Sequence, residues 1–301
     1  MRPRRALLYV PGDDLRKIQK AATLGVSGGL DCICLDLEDG VAFQAKGTAR
    51  VQIPQALGSL EFGRAERLVR VNGAHSGLQK EDLVAVLPAR PQGIVVPKVE
   101  NAEDILRVDE AISAAEARNG WGEGEIALIA IVESARGILN LAQIAAASKR
   151  LQATALGAED LAADMGAIRT RGGEEMFYAR SALVMHCAAF GLQALDMVYV
   201  DLKDSQGLFQ EARHAFEMGF SGKQIIHPDQ IALVQRAFTP GEEAIARARR
   251  LVQAYEEHLA AGKGVFTLDG KMVELPMIQA ARRILAQAEA YPPQVNQERE
   301  S

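Results

Sequence analysis

Short runs of Val, Ile and Leu recur along the chain, each followed by a longer segment whose apolar positions repeat at helical spacing. Eight such runs read as strands: RALLYV (5–10), CICLDLE (32–38), RLVRVN (67–72), GIVVPKV (93–99), IALIAIVE (126–133), ATALGAED (153–160), ALDMVYV (194–200) and KQIIHP (223–228). Near-continuous apolar strands belong to parallel sheets covered on both faces, and the segments between them read as crossover helices. DDLRKIQKAATLG has Asp13 as its N-cap and Gly25 as its stop, and NAEDILRVDEAISAAEA starts from Asn101 in the same way. Eight βα units in about 235 residues fit a (β/α)8 TIM barrel of the α/β class. An open doubly wound sheet is the alternative, because periodicity does not reveal closure. After about Pro240 the pattern changes to a helix (EEAIARARRLVQAYEEHLAA), two short strands around Asp269 and Gly270, and a second helix (PMIQAARRILAQAEA). The expected organisation is a barrel over 1–238, a C-terminal helical extension over 239–290, and a polar tail, 291–301, expected to be disordered.

With 301 residues, 48% hydrophobic and 24% charged, the chain suits a globular protein with a sizeable core. No apolar run approaches the roughly 18 residues of a spanning helix. The opening MRPRRALLYVPGDD meets Pro11, Gly12 and two acids before a signal-like core develops, so no membrane association and a cytoplasmic location are expected. The net charge of −5 supplies no general attraction for nucleic acid. Three cysteines form no zinc-like pair, and Cys32 and Cys34 read as buried strand residues.

Active sites of TIM barrels lie at the carboxyl ends of the strands, so polar residues closing apolar runs become candidates. These are Asp36, Glu38, Asp39, Arg70, Asn72, Lys98, Glu133, Glu159, Asp160 and Asp201. Glu133 and Asp160 bring two carboxylates from adjacent strands to one mouth. Two like charges in a partly dry pocket raise each other's pKa unless a cation compensates, and Mg²⁺ uses one or two carboxylates with waters. The alternative is that both acids only cap the helices that follow. The five histidines form neither HxH nor HExxH. Arg70, between apolar neighbours, needs an anion: a substrate carboxylate or enolate oxygen, or an internal partner among the strand 2 acids. Lys98 carries the same ambiguity. Arg2, Arg4, Arg5, Arg16, Lys17 and Lys20 suit a phosphate-bearing ligand such as a nucleotide or coenzyme A, with a plain solvated face as the alternative. Residues 25–29 match GxSxG but leave a helix instead of ending a strand, so they make no nucleophile elbow.

The segments RRALLYVPGDD, LDLEDGVAFQAKGTAR, LVRVNG, VVPKVE, AIVESARGILN, LGAEDLAADMG and IIHPDQI, in this order, resemble the CitE-like branch of the HpcH/HpaI aldolase superfamily. That branch includes the citrate lyase β subunit, malyl-CoA and β-methylmalyl-CoA lyases, and citramalyl-CoA lyase. The resemblance implies a barrel, usually a homotrimer, that uses Mg²⁺, with Mn²⁺ able to substitute. The implied reaction cleaves or forms a carbon–carbon bond in a 3-hydroxyacyl-CoA thioester such as citramalyl-CoA or malyl-CoA, with pyruvate or glyoxylate as the other product. It also implies Glu133 and Asp160 as the metal ligands and Arg70 as the contact to the thioester and its enolate. Asp36, Glu38 and Asp39 are implied to orient metal-bound waters. Arg5 and Lys17 fall where relatives bind coenzyme A phosphates, with Lys20 and His227 in the same role. The C-terminal extension is implied to be a lid that reaches a neighbouring subunit, with the acid of a GKMVD-P type motif acting as acid or base. Here the motif reads GKMVELP, so Glu274 stands in place of Asp, one methylene longer. Under the same resemblance the alternatives are a citryl carrier-protein lyase partnered by an acyl carrier subunit, a class II pyruvate aldolase acting on free acids, and a non-catalytic CoA-binding protein.

Overall fold

The computed structural model describes residues 2–27, 29–260, 266–268 and 271–290. Two compact units divide the chain, one of Arg4–Gln235 and one beginning at Arg236, to which Arg2 and Pro3 also belong. In the first unit, eight parallel strands follow in chain order around a closed barrel: β1 (Ala6–Pro11), β2 (Cys32–Asp36), β3 (Glu66–Arg70), β4 (Gly93–Val96), β5 (Ala127–Val132), β6 (Leu151–Leu156), β7 (Gln193–Asp196) and β8 (Gly222–Ile225). Closure comes from β1 pairing with both β2 and β8, which disposes of the open-sheet alternative.

Alternation along the strands sorts side chains into two layers. Leu7, Cys32, Cys34, Leu68, Val95, Ile129, Ile131, Ala153, Ala155 and Leu195 form one cluster, with Tyr9 packed against it, so both expected strand cysteines are core residues. At the amino ends of the strands, the fully buried Arg4 is held by Glu66, Gln152 and Gln193. A buried guanidinium survives only with such partners, so Arg4 is a structural plug and takes no part in ligand binding.

Three local expectations shift. The first helix, Leu15–Val26, is capped by Asp14, not Asp13; the Asp14 carboxylate accepts from the Arg16 and Lys17 amides. β6 ends at Leu156, and Glu159 and Asp160 stand in the first turn of the helix Ala158–Met165. β7 ends at Asp196, whose carboxylate is drawn into ion pairs with Arg180 and Lys223, and Asp201 lies beyond the strand. The helix Ala102–Asn119 begins at Asn101, with a reciprocal capping box to Asp104.

The second unit contains the helix Glu242–Ala260, the antiparallel strands β9 (Phe266–Leu268) and β10 (Lys271–Val273), and the helix Leu275–Ala290. Val273 and Ile278 centre its core, with Leu251, Val252, Ala254, Tyr255 and Leu268 against them. Asp269, Gly270 and the tail 291–301 lie outside the described residues. No described helix is long and apolar enough to cross a membrane.

Candidate active site

Strand register decides the first half of the site. Asp36 and Arg70 are partners across β2 and β3, and their side chains form a bidentate pair: Arg70 Nε donates to Asp36 Oδ1 at 2.7 Å and Nη2 to Oδ2 at 2.6 Å. Arg70 Nη1 lies 3.0 Å from Glu38 Oε2, and the guanidinium sits 4.5 Å over the Tyr9 ring. The Tyr9 hydroxyl donates to Gln224 at 2.7 Å, which ties β1 to β8. Asp36 also accepts from the Glu38 and Gly40 amides, so it is saturated and buried, and it positions Arg70 and the turn after β2 instead of meeting a ligand. Of the two readings open for Arg70, the internal partner is the one this geometry shows, and Arg70 is absent from the walls of the mouth cavity. The turn is fixed from behind by the buried Lys46, which donates to the Leu37 and Glu38 carbonyls and to Asn72 Oδ1.

The second half centres on Glu133, directly after β5. Its Oε1 accepts from the Lys98 amide at 2.8 Å. Its Oε2 occupies space that opens only because residue 157 is glycine: a Cβ there would lie 2.2 Å from that oxygen. Burial above all, then the neighbouring carboxylates of Asp160 and Glu38, pushes the Glu133 carboxyl up to about 8. The Lys98 side chain spans the acids, with Nζ 2.5 Å from Glu38 Oε1, 3.5 Å from Asp39 Oδ1 and 3.9 Å from Asp160 Oδ2. Burial works against its charge, but the hydrogen bond to Glu38 and the surrounding carboxylates hold Lys98 above the usual lysine range. Burial raises the Glu38 carboxyl, opposed by Arg70 and Lys98.

These groups wall a cavity of about 680 Å³, together with Asn72, His75, Ser134 and Asp164. Among the described residues, no three His, Cys, Asp or Glu side chains converge as a ready-made metal cage. A hard divalent cation fits Glu133 and Asp160 if water or substrate oxygens complete its shell, which is the habit of Mg²⁺. The cradle left by Gly157 and the unfavourable burial of Glu133 are what such a cation would relieve.

The remaining expected residues fall in different places. Lys17 is exposed at the start of its helix and, with Arg16, Asp13, Asp14, Gly40 and Ala42, lines a shallow cavity of about 610 Å³. Lys20 is exposed farther along that helix and outside this lining. Arg5 is not brought to the mouth. It precedes β1, at the amino ends of the parallel strands, and Asp31 grips it through Nε at 2.9 Å and Nη2 at 2.8 Å. His227 follows β8 and caps the short turn Pro228–Gln230, its Nδ1 accepting from the Asp229 amide. Glu274 is exposed in the second unit, between β10 and the helix Leu275–Ala290.

One participant, Asp164, escaped the sequence reading, and a second, Lys98, was a candidate without an assigned role. Asp164 accepts from the Ala135 amide at 2.7 Å, capping the helix after β5, and the signal for it was its position one turn after Asp160 on the same helix face. Lys98 was visible only as an ambiguous lysine after Pro97, since its grip on four acids depends on three-dimensional proximity.

Residues 5–228 match the family described as HpcH/HpaI aldolase/citrate lyase. The chain belongs to this family. Within it, the chain is 41% identical over 296 residues to the mitochondrial citramalyl-CoA lyase of Rattus norvegicus, covering 95% of this chain and 86% of that one. It is 35% identical over 289 residues to citrate lyase subunit beta of Leuconostoc mesenteroides subsp. cremoris, covering 96% and 94%. A crystal structure of Mycobacterium tuberculosis CitE in complex with magnesium, acetoacetate and coenzyme A aligns with a TM-score of 0.76 at 33% identity, covering 95% of this chain and 98% of that one. The family match ends inside the barrel unit, whereas these relatives extend the similarity into the C-terminal unit that carries Glu274.

Proposed function

We propose that this protein is a divalent-cation-dependent carbon–carbon lyase that cleaves a 3-hydroxyacyl-CoA thioester, citramalyl-CoA or malyl-CoA, to an acyl-CoA and pyruvate or glyoxylate. The observation that carries the reading is the mouth itself, where Glu133 and Asp160 face one cavity with Glu38 and Lys98, in a chain 41% identical to a citramalyl-CoA lyase. Glu133 and Asp160 hold the cation, Mg²⁺ or Mn²⁺. When bound, it supplies Lewis-acid polarisation of the hydroxyl and carboxylate of the 2-hydroxy acid moiety.

The chain's own groups do the rest. A base removes the hydroxyl proton, the adjacent carbon–carbon bond breaks, and its electron pair passes to the thioester as an enolate. Arg70, held behind the cavity wall by Asp36 and Glu38, acts on that enolate through its fixed positive charge and not by direct contact. Glu38 and Asp39 orient water in the mouth. Glu274, supplied by the C-terminal extension of a neighbouring subunit, returns a proton to carbon. The coenzyme A phosphates lie along the exposed Arg16 and Lys17, the pairing of Lys17 with Asp14 being a loose surface contact at 3.5 Å, with Lys20 and His227 as outer contacts; Arg5 is left out because it lies before β1, at the end opposite the mouth, in the grip of Asp31.

We infer a homotrimer from the family resemblance; Leu139, Ile168, Phe177, Tyr178 and Met185, each more than half exposed, are apolar side chains that contact with another copy would cover. A citryl carrier-protein lyase is the second reading. The citrate lyase β subunit of Leuconostoc is matched over 94% of its length, so the C-terminal unit does not separate the two.

The test is an assay of purified protein on (S)-citramalyl-CoA and malyl-CoA side by side, with release of pyruvate or glyoxylate followed by a coupled dehydrogenase. Cleavage abolished by EDTA and restored by Mg²⁺ is expected. Silence on both esters with turnover of a carrier-protein thioester selects the second reading, and turnover of free hydroxy acids alone refutes both.

A further inference from the structure

Resting on the cation reading above, we propose that Lys98 is a built-in counter-cation of the acidic mouth, a positioning residue that sets how tightly the divalent cation binds. Two non-glycine residues among those described have positive φ, Arg90 and Lys98. Arg90 ends a short 3₁₀ helix, where a left-handed residue is an ordinary stop. Lys98 has no helix to end. At φ 55° it follows β4 and Pro97, a place where glycine would adopt the same backbone without strain. A lysine kept in a conformation that suits glycine points to a need for its side chain.

The geometry shows what the conformation achieves. The left-handed turn aims the Lys98 amide at Glu133 Oε1, 2.8 Å away, and sends the side chain back over Glu38, Asp39 and Asp160. One residue thus grips one proposed metal ligand through its main chain and faces the other through its charge. Without a divalent cation, the ammonium offsets repulsion among the acids. With the cation present, the same ammonium, 3.9 Å from Asp160 Oδ2, is a like charge beside the bound ion. The cation therefore binds less tightly than the carboxylates alone would hold it. The Lys98 side chain is 47% exposed, so water screens much of this opposition, and its removal is worth about tenfold in affinity, far short of what a dry site would give.

The experiment titrates the intact protein with Mn²⁺, free ion being read by electron paramagnetic resonance. K98M removes the charge and keeps a side chain of similar length, K98G removes the charge and relaxes the backbone, and K98R keeps the charge. The expected result is a dissociation constant about tenfold lower for K98M and K98G, with K98R close to wild type. The two neutral variants also melt at lower temperature than wild type in EDTA and recover when Mn²⁺ saturates. Equal or weaker Mn²⁺ binding by both neutral variants overturns the proposal. The partner measurement is E133Q and D160N. If these lose Mn²⁺ binding while K98M and K98G bind like wild type, only the role of Lys98 falls; if they bind like wild type, the cation reading falls with it.

Discussion

Replacing Gly157 by alanine adds one methyl group at the seam between β6 and the helix Ala158–Met165. The backbone there, φ −92° and ψ 90°, is open to any residue, so the substitution acts by volume alone. The new Cβ would lie 2.2 Å from Glu133 Oε2, 2.5 Å from Glu133 Cβ and 3.0 Å from its Cδ. Rotating the carboxylate relieves the first contact but not the second, because Glu133 Cβ is tied to the main chain directly after β5. Reaching ordinary van der Waals separation requires Glu133 to retreat by about 1 Å. Overpacking of this kind costs roughly 1–3 kcal/mol, equivalent to a melting-temperature drop of roughly 2–12 °C for a unit of this size. For the carboxylate proposed to hold the cation, a shift of about 1 Å costs on the order of 100-fold in rate. Thermal melts with and without Mg²⁺, beside kcat on the preferred thioester, measure both effects. G58A, in the helix Lys46–Ser59 with nothing within 4 Å of its added methyl, serves as the control and leaves both quantities near wild type or slightly improved. G157A with unaltered melting and unaltered Mg²⁺-dependent kcat would refute the claim that Gly157 exists to seat Glu133.

Other expectations follow from the same contacts. E133A and D160A retain the far-ultraviolet circular dichroism of the wild type and lose Mg²⁺-dependent turnover; full activity in either removes that residue from the metal site. D36N leaves Arg70 without its bidentate partner but still beside Glu38, at a cost near the low end for a broken buried pair, roughly 3 kcal/mol, read as a lower urea midpoint with an unchanged m-value. Burial pushes the Cys32 and Cys34 thiols well up and Cys187 up to about 11, so none reacts quickly with a thiol reagent at pH 8 in the native protein, and all three react after unfolding; rapid native labelling contradicts this. Glu175 is opposed by burial, yet hydrogen bonds from Thr170 and Arg169 hold its carboxyl down at about 2. Its pKa is depressed on folding, so its contribution is present above pH 4.5 and fades as pH falls toward 2. Urea midpoints measured between pH 4.5 and pH 2 should therefore fall less steeply with decreasing pH in E175Q than in the wild type.

What the amino-acid sequence determined alone is whatever depends on local periodicity and residue chemistry. Eight apolar runs spaced by amphipathic segments specify parallel strands with helical crossovers, and polar residues at the run ends mark one face of the barrel as chemical. The Asn101 cap, the helix–hairpin–helix order of the C-terminal unit and the buried nature of Cys32 and Cys34 are legible for the same reason. The tertiary structure decided everything that depends on which distant residues meet. Register between β2 and β3 turned Arg70 toward Asp36, a pairing that residue types allow but do not select. Parallel strands place a residue before β1 at the end opposite the mouth, which separates Arg5 from Lys17 although both are basic and close in sequence. The end of β6 at Leu156 moved Asp160 from a strand to a helix turn, yet it still faces the cavity with Glu133. Nothing in a lysine's identity announces a left-handed backbone, and nothing in a glycine's identity names the carboxylate it makes room for. Lys98 and Gly157 meet Glu133 only when β4, β5 and β6 stand side by side, because contact energies fall away within a few ångströms and sequence distance does not measure them.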